Sequence, residues 1–109
     1  MSEFTDYLQE VFKEFGPINA KRMFGGYGIY YKGVMFALVQ DDTLYLKADD
    51  SIAENFIVRN LGQFEYKKGD KMIKLSYYQA PEDILEDRKM ASEWARRSFE
   101  AALRTKTKK

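Results

Sequence analysis

The chain has 109 residues, 45% hydrophobic and 16% aromatic, and a formal net charge of +1. That length suits one domain with one core, and the aromatic content is too high for a disordered segment. It contains neither histidine nor cysteine, which excludes disulfides, thiolate metal sites, cysteine nucleophiles and histidine-dependent triads, and the near-neutral charge argues against a dedicated nucleic-acid binder. No run approaches the ~20 apolar residues of a membrane span. The N-terminus, "MSEFTDYLQE", is acidic where a signal peptide would be basic and then apolar. The expectation is a cytoplasmic protein without a membrane segment.

Phe4, Leu8, Val11, Phe12 and Phe15 recur at helical spacing and predict an amphipathic helix over 3–15. Ser2 would cap it, and Gly16-Pro17 would end it. From 19 to 47 the pattern turns to β. "YGIYY" and "VMFALVQ" flank Lys32-Gly33, a two-residue hairpin loop, and "TLYLK" follows a second tight turn, Asp41-Asp42. "AKRMF", before Gly25-Gly26, reads as a short leading strand, which makes three strands or four. Ser51 to Leu61 reads as a helix with a Ser51–Glu54 capping box and a buried face of Ile52, Phe56 and Ile57.

"QFEY" and "MIKLSYY" then form a hairpin across "KKGDK", Pro81 breaks the sheet, and "PEDIL" makes a turn. The last helix runs from Arg88 to Arg104. Asp87 caps it, Ala91, Trp94, Ala95, Ser98, Phe99 and Ala102 form its stripe, and Trp94 is a core residue. The tail 105–109, "TKTKK", reads as frayed. The order α–β(3–4)–α–β(2)–α with short loops predicts an α+β domain over 1–109. Its sheet would be antiparallel, with the helices on one face.

The glycine-rich stretch "RMFGGYGIYYKG" is one glycine short of a dinucleotide fingerprint and runs into strand instead of helix. Gly25 and Gly26 are therefore read as a turn, and Gly28 as a bulge or a close backbone approach. Strand alternation places Ile29, Tyr31, Leu44, Leu46, Ile73, Leu75 and Tyr77 toward the helices. The opposite face then carries Tyr30, Lys32, Tyr45, Lys47, Lys74, Ser76 and Tyr78. Such a face stacks single-stranded bases, contacts a protein, or is an ordinary solvated sheet surface. Tyr30 and Tyr45 could also pair two copies as a homodimer.

Arg96 and Arg97 lie off the last helix's stripe, within a segment, 88–109, that has eight bases and two acids. The helix dipole accounts for cations there, and a contact to phosphate or to an acidic protein is the sharper reading. The carboxylates Asp41/Asp42, Asp49/Asp50, Asp83 and Glu86/Asp87 do not converge by spacing. No catalytic residue, metal ligand or cofactor is assigned.

"RMFGGYGIYYKGVMFALVQDDTLYLKAD", "GQFEY" with "SYYQAPEDILED", and "WARRSFEAA" resemble the TfoX/Sxy N-terminal domain, from about Phe4 to Ala102. The resemblance implies a fold like that of type III secretion chaperones and a role in regulating bacterial competence for DNA uptake. It also implies co-activation with the cyclic-AMP receptor protein at competence-gene promoters. It brings no catalytic residues. The family's activators carry a second, C-terminal domain, so the resemblance reads this chain as a stand-alone N-terminal domain. The leading expectation is a non-enzymatic protein-interaction module. The alternatives are direct nucleic-acid binding through the aromatic-basic face and the helix arginines, and a small-ligand or enzymatic role.

Overall fold

A computed structural model describes residues 3–23 and 25–107; the expected Ser2 cap lies outside them. The elements run α1 (Glu3–Val11), β1 (Asn19–Met23), β2 (Gly26–Tyr31), β3 (Val34–Gln40), β4 (Thr43–Lys47), α2 (Ala53–Ile57), β5 (Gln63–Lys68), β6 (Lys71–Gln79), a 3₁₀ turn (Glu82–Glu86) and α3 (Arg88–Thr107). The six strands form one sheet in the order β1-β2-β3-β4-β6-β5, with every neighbouring pair antiparallel. The expected α+β class and element order hold, with four strands in the first meander.

Two hairpin loops are set by local conformation. Lys32 and Gly33 have φ of 50° and 79°, and Asp41 and Asp42 have φ of 52° and 56°. Two consecutive left-handed residues match the right-handed twist of the strands they join. The β2–β3 ladder carries a bulge. Ile29 pairs with Ala37 and Tyr30 with Met35, which leaves Phe36 as the extra residue. Phe36 and Ala37 are both fully buried in the core.

All the helices pack on one face of the sheet. Phe12 of the α1 turn meets the Phe36 ring at 5.7 Å between centroids, and Phe15 meets Tyr31 at 4.3 Å. Phe56 of α2 stacks on Tyr78 at 5.4 Å and meets Trp94 of α3 edge-on at 5.2 Å. Leu8, Ile29, Leu46, Ile84 and Ala95 complete this core.

Three local expectations change. Regular α1 ends at Val11, and the chain continues as turns closed by Phe12 N–H to Leu8 C=O and Gly16 N–H to Phe12 C=O. α2 is short, and no side chain caps it. The Ser51–Glu54 capping box is absent because Asp49 takes its place: Ser51 N–H and Ser51 Oγ both donate to Asp49 Oδ1, at 3.1 and 2.7 Å. Of the expected buried face, Phe56 is buried and Ile52 packs partly buried against the core, while Ile57 is half exposed. Finally, α3 continues through Thr105 to Thr107, so the tail is helical up to there. The expected Asp87 cap is present, with Met90 N–H donating to Asp87 Oδ1 at 3.0 Å.

Candidate functional site: the open face of the sheet

Cross-strand pairing fixes which side chains share a face. Leu46 pairs with Tyr78, and both belong to the helix-side core, so the neighbouring pairs Tyr45–Gln79 and Lys47–Tyr77 point the other way. Leu38, opposite both Gly28 and Tyr45, joins them on that open face. Phe64 meets Tyr45 at 5.0 Å and lies 6.4 Å from Tyr66. Tyr66 sits opposite Ile73, and Lys68 opposite Lys71. Alternation along β6 then carries Lys71, Ile73, Leu75 and Tyr77 to the open face together.

This corrects the expected alternation of β6. Tyr78 faces α2, not solvent. Lys74 pairs with Glu65 on the helix side of the sheet, and Ile73, Leu75 and Tyr77 lie on the open face. A one-sided amphipathic reading sends the apolar member of each alternating pair to the helices, and here both faces are apolar. Lys32 is displaced too: it occupies the hairpin turn, with its Nζ 5.4 Å from the Tyr31 ring centroid on the helix side. Tyr30, Tyr45 and Lys47 stand where they were expected.

The open face has a small apolar layer of its own. Leu38 and Phe64 are only 5% and 6% exposed, yet neither belongs to the helix-side core. A Cβ on Gly28 would meet Met23 Sδ at 2.7 Å, Met35 Sδ at 3.1 Å and the Tyr30 ring at 3.1 Å. Gly28 is thus the close approach that lets these side chains cover the strand. Gly26 has no room for a side chain against the Val39 carbonyl, and Gly25, with φ of 78°, makes the turn.

Strand cations fall on both faces, Lys21, Lys47, Lys68 and Lys71 on the open one and Arg22, Lys67 and Lys74 on the other. The strands contain Lys21, Arg22, Lys47, Lys67, Lys68, Lys71 and Lys74 against a single acid, Glu65. Lys21 Nζ lies 4.8 Å from the Tyr30 centroid and Lys47 Nζ 5.2 Å from that of Tyr77. Burial lowers the Lys47 pKa, against the pull of Asp49. Burial, with a smaller contribution from Tyr30, pushes the Tyr77 hydroxyl up to about 12. Both shifts report a face that is partly desolvated before anything binds.

The remaining predicted groups lie elsewhere. Arg96 and Arg97 are exposed on α3, across the molecule from the open face, and the Arg97 guanidinium lies 5.7 Å from the Trp94 centroid. Trp94 itself is buried, as expected. The carboxylates are dispersed in structural roles. Asp83 pairs with Arg59 at 3.5 Å. Asp49 receives Arg104 Nε at 2.7 Å and Nη2 at 3.2 Å, and Arg104 Nη2 also donates to Ser51 Oγ at 2.9 Å. The hydrogen bond from Arg104 holds the Asp49 carboxyl well below the usual carboxylate range. Among the described residues, no group of three or more acidic side chains is placed to hold a metal ion.

Sequence reasoning missed Lys21, Leu38, Phe64, Tyr66, Lys68, Lys71 and Tyr77. Its one available signal was the unbroken apolar run "FALV" in β3, which a strand with one wet face would not carry.

Among the described residues, no helix is long and apolar enough to cross a membrane. The family model of the TfoX N-terminal domain matches residues 10–102. Protein Sxy of Escherichia coli (strain K12) is 28% identical over 99 residues, covering 91% of this chain and 47% of that protein. DNA transformation protein TfoX1 of Aliivibrio fischeri (strain ATCC 700601 / ES114) is 28% identical over 82 residues, covering 75% of this chain and 39% of that protein. The chain spans less than half the length of these curated relatives.

Proposed function

The chain belongs to the TfoX N-terminal domain family, and on that premise we propose that it is a non-enzymatic protein-interaction module of competence regulation, meeting its partner through the open face of the sheet. The observation that carries this reading is the pair Tyr45 and Tyr77 beside the buried Leu38 and Phe64, on the sheet face opposite the helix-side core, with only the end of α3 close by at Tyr77. Ordered aromatic and methionine side chains on an uncovered sheet are what a protein interface is made of. The Aliivibrio fischeri relative is named a DNA transformation protein, which supports competence as the setting.

The cyclic-AMP receptor protein on a competence-gene promoter is the partner to try first. A gel-shift series would compare the receptor, this chain, and both together on one promoter fragment. The expected result is a slower complex only when both proteins are present, lost with Tyr45→Ser. An unchanged receptor–DNA band at high protein concentration would overturn the choice of partner.

Direct nucleic-acid binding is a second reading, favoured by the excess of lysine over acid in the strands. Phosphate binding weakens steeply between roughly 50 and 200 mM salt because counterions are released. Anisotropy of labelled single- and double-stranded DNA over that range tests it. No binding at the lower salt would remove it.

A further inference from the structure

From the chemistry of the open face we infer the class of its partner: an amphipathic helix whose apolar stripe is flanked by carboxylates. This rests on the reading that the open face is the interaction surface, and it adds what that surface selects. The argument is one of charge complementarity around an apolar centre. Pairing and alternation give the face four strand cations, Lys21, Lys47, Lys68 and Lys71, and no strand acid. Glu65, the single acid in the strands, points to the helix side with Lys74. The lysines sit at the margins: Lys21 on edge strand β1, Lys47 at the end of β4, and Lys68 and Lys71 beside the β5–β6 turn. The centre is Leu38, Tyr45, Phe64 and Tyr77.

An apolar centre inside a mainly basic rim is the complement of an apolar stripe between acidic flanks. Two other occupants fit less well. A second copy laid face to face would set strand lysines against strand lysines. Single-stranded nucleic acid would use the tyrosines for stacking, but it gains little from Leu38, Ile73, Leu75, Met23 and Met35, which offer no ring.

The test uses three probes with the whole chain, read by fluorescence anisotropy: a labelled helical peptide with a leucine stripe and glutamate flanks, its twin with every glutamate replaced by lysine, and an oligo-dT strand. The acidic peptide is expected to bind at least about tenfold tighter than its basic twin and to weaken as salt rises. Lys21→Glu with Lys47→Glu is expected to reverse that preference. Lys21 is exposed and Lys47 half-buried, and an unaltered thermal midpoint would show the fold intact.

Equal affinity for the two peptides, abolished by Tyr45→Ser, would overturn the acidic partner and leave the face as the interaction surface. Equal affinity unaffected by Tyr45→Ser would overturn both. Tighter binding of oligo-dT than of the acidic peptide would overturn the inference in favour of nucleic acid. Concentration-dependent dimerisation through the face, seen by sedimentation and removed by Tyr45→Ser, would overturn it in favour of a second copy.

Discussion

The two faces of the one sheet are built from similar residues to different ends. On the helix side, Phe36, Tyr31 and Tyr78 are closed over by Phe12, Phe15, Phe56 and Phe99. On the open side, Tyr45 packs beside Leu38 and Phe64, and only the end of α3 comes near, beside Lys47 and Tyr77. Aromatic content alone therefore does not say which face is core. What separates them is whether a second layer of backbone arrives to bury the rings.

Substitutions that sample each face should separate by size. The largest effect is expected for Phe36→Ala, which empties a fully buried site in the bulge. A loss of roughly 3–5 kcal/mol is a large part of a small domain's stability. Chemical denaturation checks it, and a loss under about 1 kcal/mol would contradict the packing described. Phe64→Ala, nearly as hidden but roofed only by side chains, should cost about 2 kcal/mol, because those side chains settle into the gap.

Tyr77 and Tyr78, adjacent in β6, give the sharpest contrast. Tyr78→Ala should lower stability by about 2 kcal/mol and leave partner binding alone. Tyr77→Ala should do the reverse, weakening binding about tenfold with a smaller loss of stability. If both variants behaved alike, the pairing of Leu46 with Tyr78 would be in doubt.

The Asp49–Arg104 pair gives a pH signature on neither face. A carboxylate with a depressed folded pKa adds stability that is complete above its unfolded value, near 3.9, and is lost as pH falls through the folded one. Asp49→Asn should therefore be less stable than the parent at neutral pH. The two stability curves should begin to approach each other below about pH 4 and meet only where the folded carboxyl, held well below that, takes up its proton. The smallest effect is expected at Ser98, whose buried Oγ lacks a hydrogen-bond partner. Ser98→Ala should be neutral or stabilising by up to about 1 kcal/mol, because it removes an unpaired polar atom from the core.

The elements were legible because their signals are local. The left-handed loops at Lys32-Gly33 and Asp41-Asp42, the cap at Asp87 and the stripe of α3 all follow from neighbours within a few residues. The face of β6 was not, because its alternation offers "I-L-Y" against "K-S-Y", and only pairing with β4 chooses between Tyr77 and Tyr78. The bulge at Phe36 and the substitution of Asp49 for the capping box are likewise settled by tertiary partners, Phe12 in one case and Arg104 in the other.

The order of the strands has a kinetic consequence. Four of the five strand pairings join neighbours in sequence, in two runs, β1 to β4 and β5 to β6, and only β4–β6 joins across the intervening α2 and β5. Local hairpins close quickly, and a seam between distant segments forms against a larger loss of chain entropy. Tyr45 and Tyr77 lie on opposite sides of that seam. The docking surface therefore exists only after the two subsheets have met, and a ligand bound there would staple them. Amide exchange along β4 and β6 should slow as ligand saturates the face, because binding only the assembled form shifts the opening equilibrium by mass action.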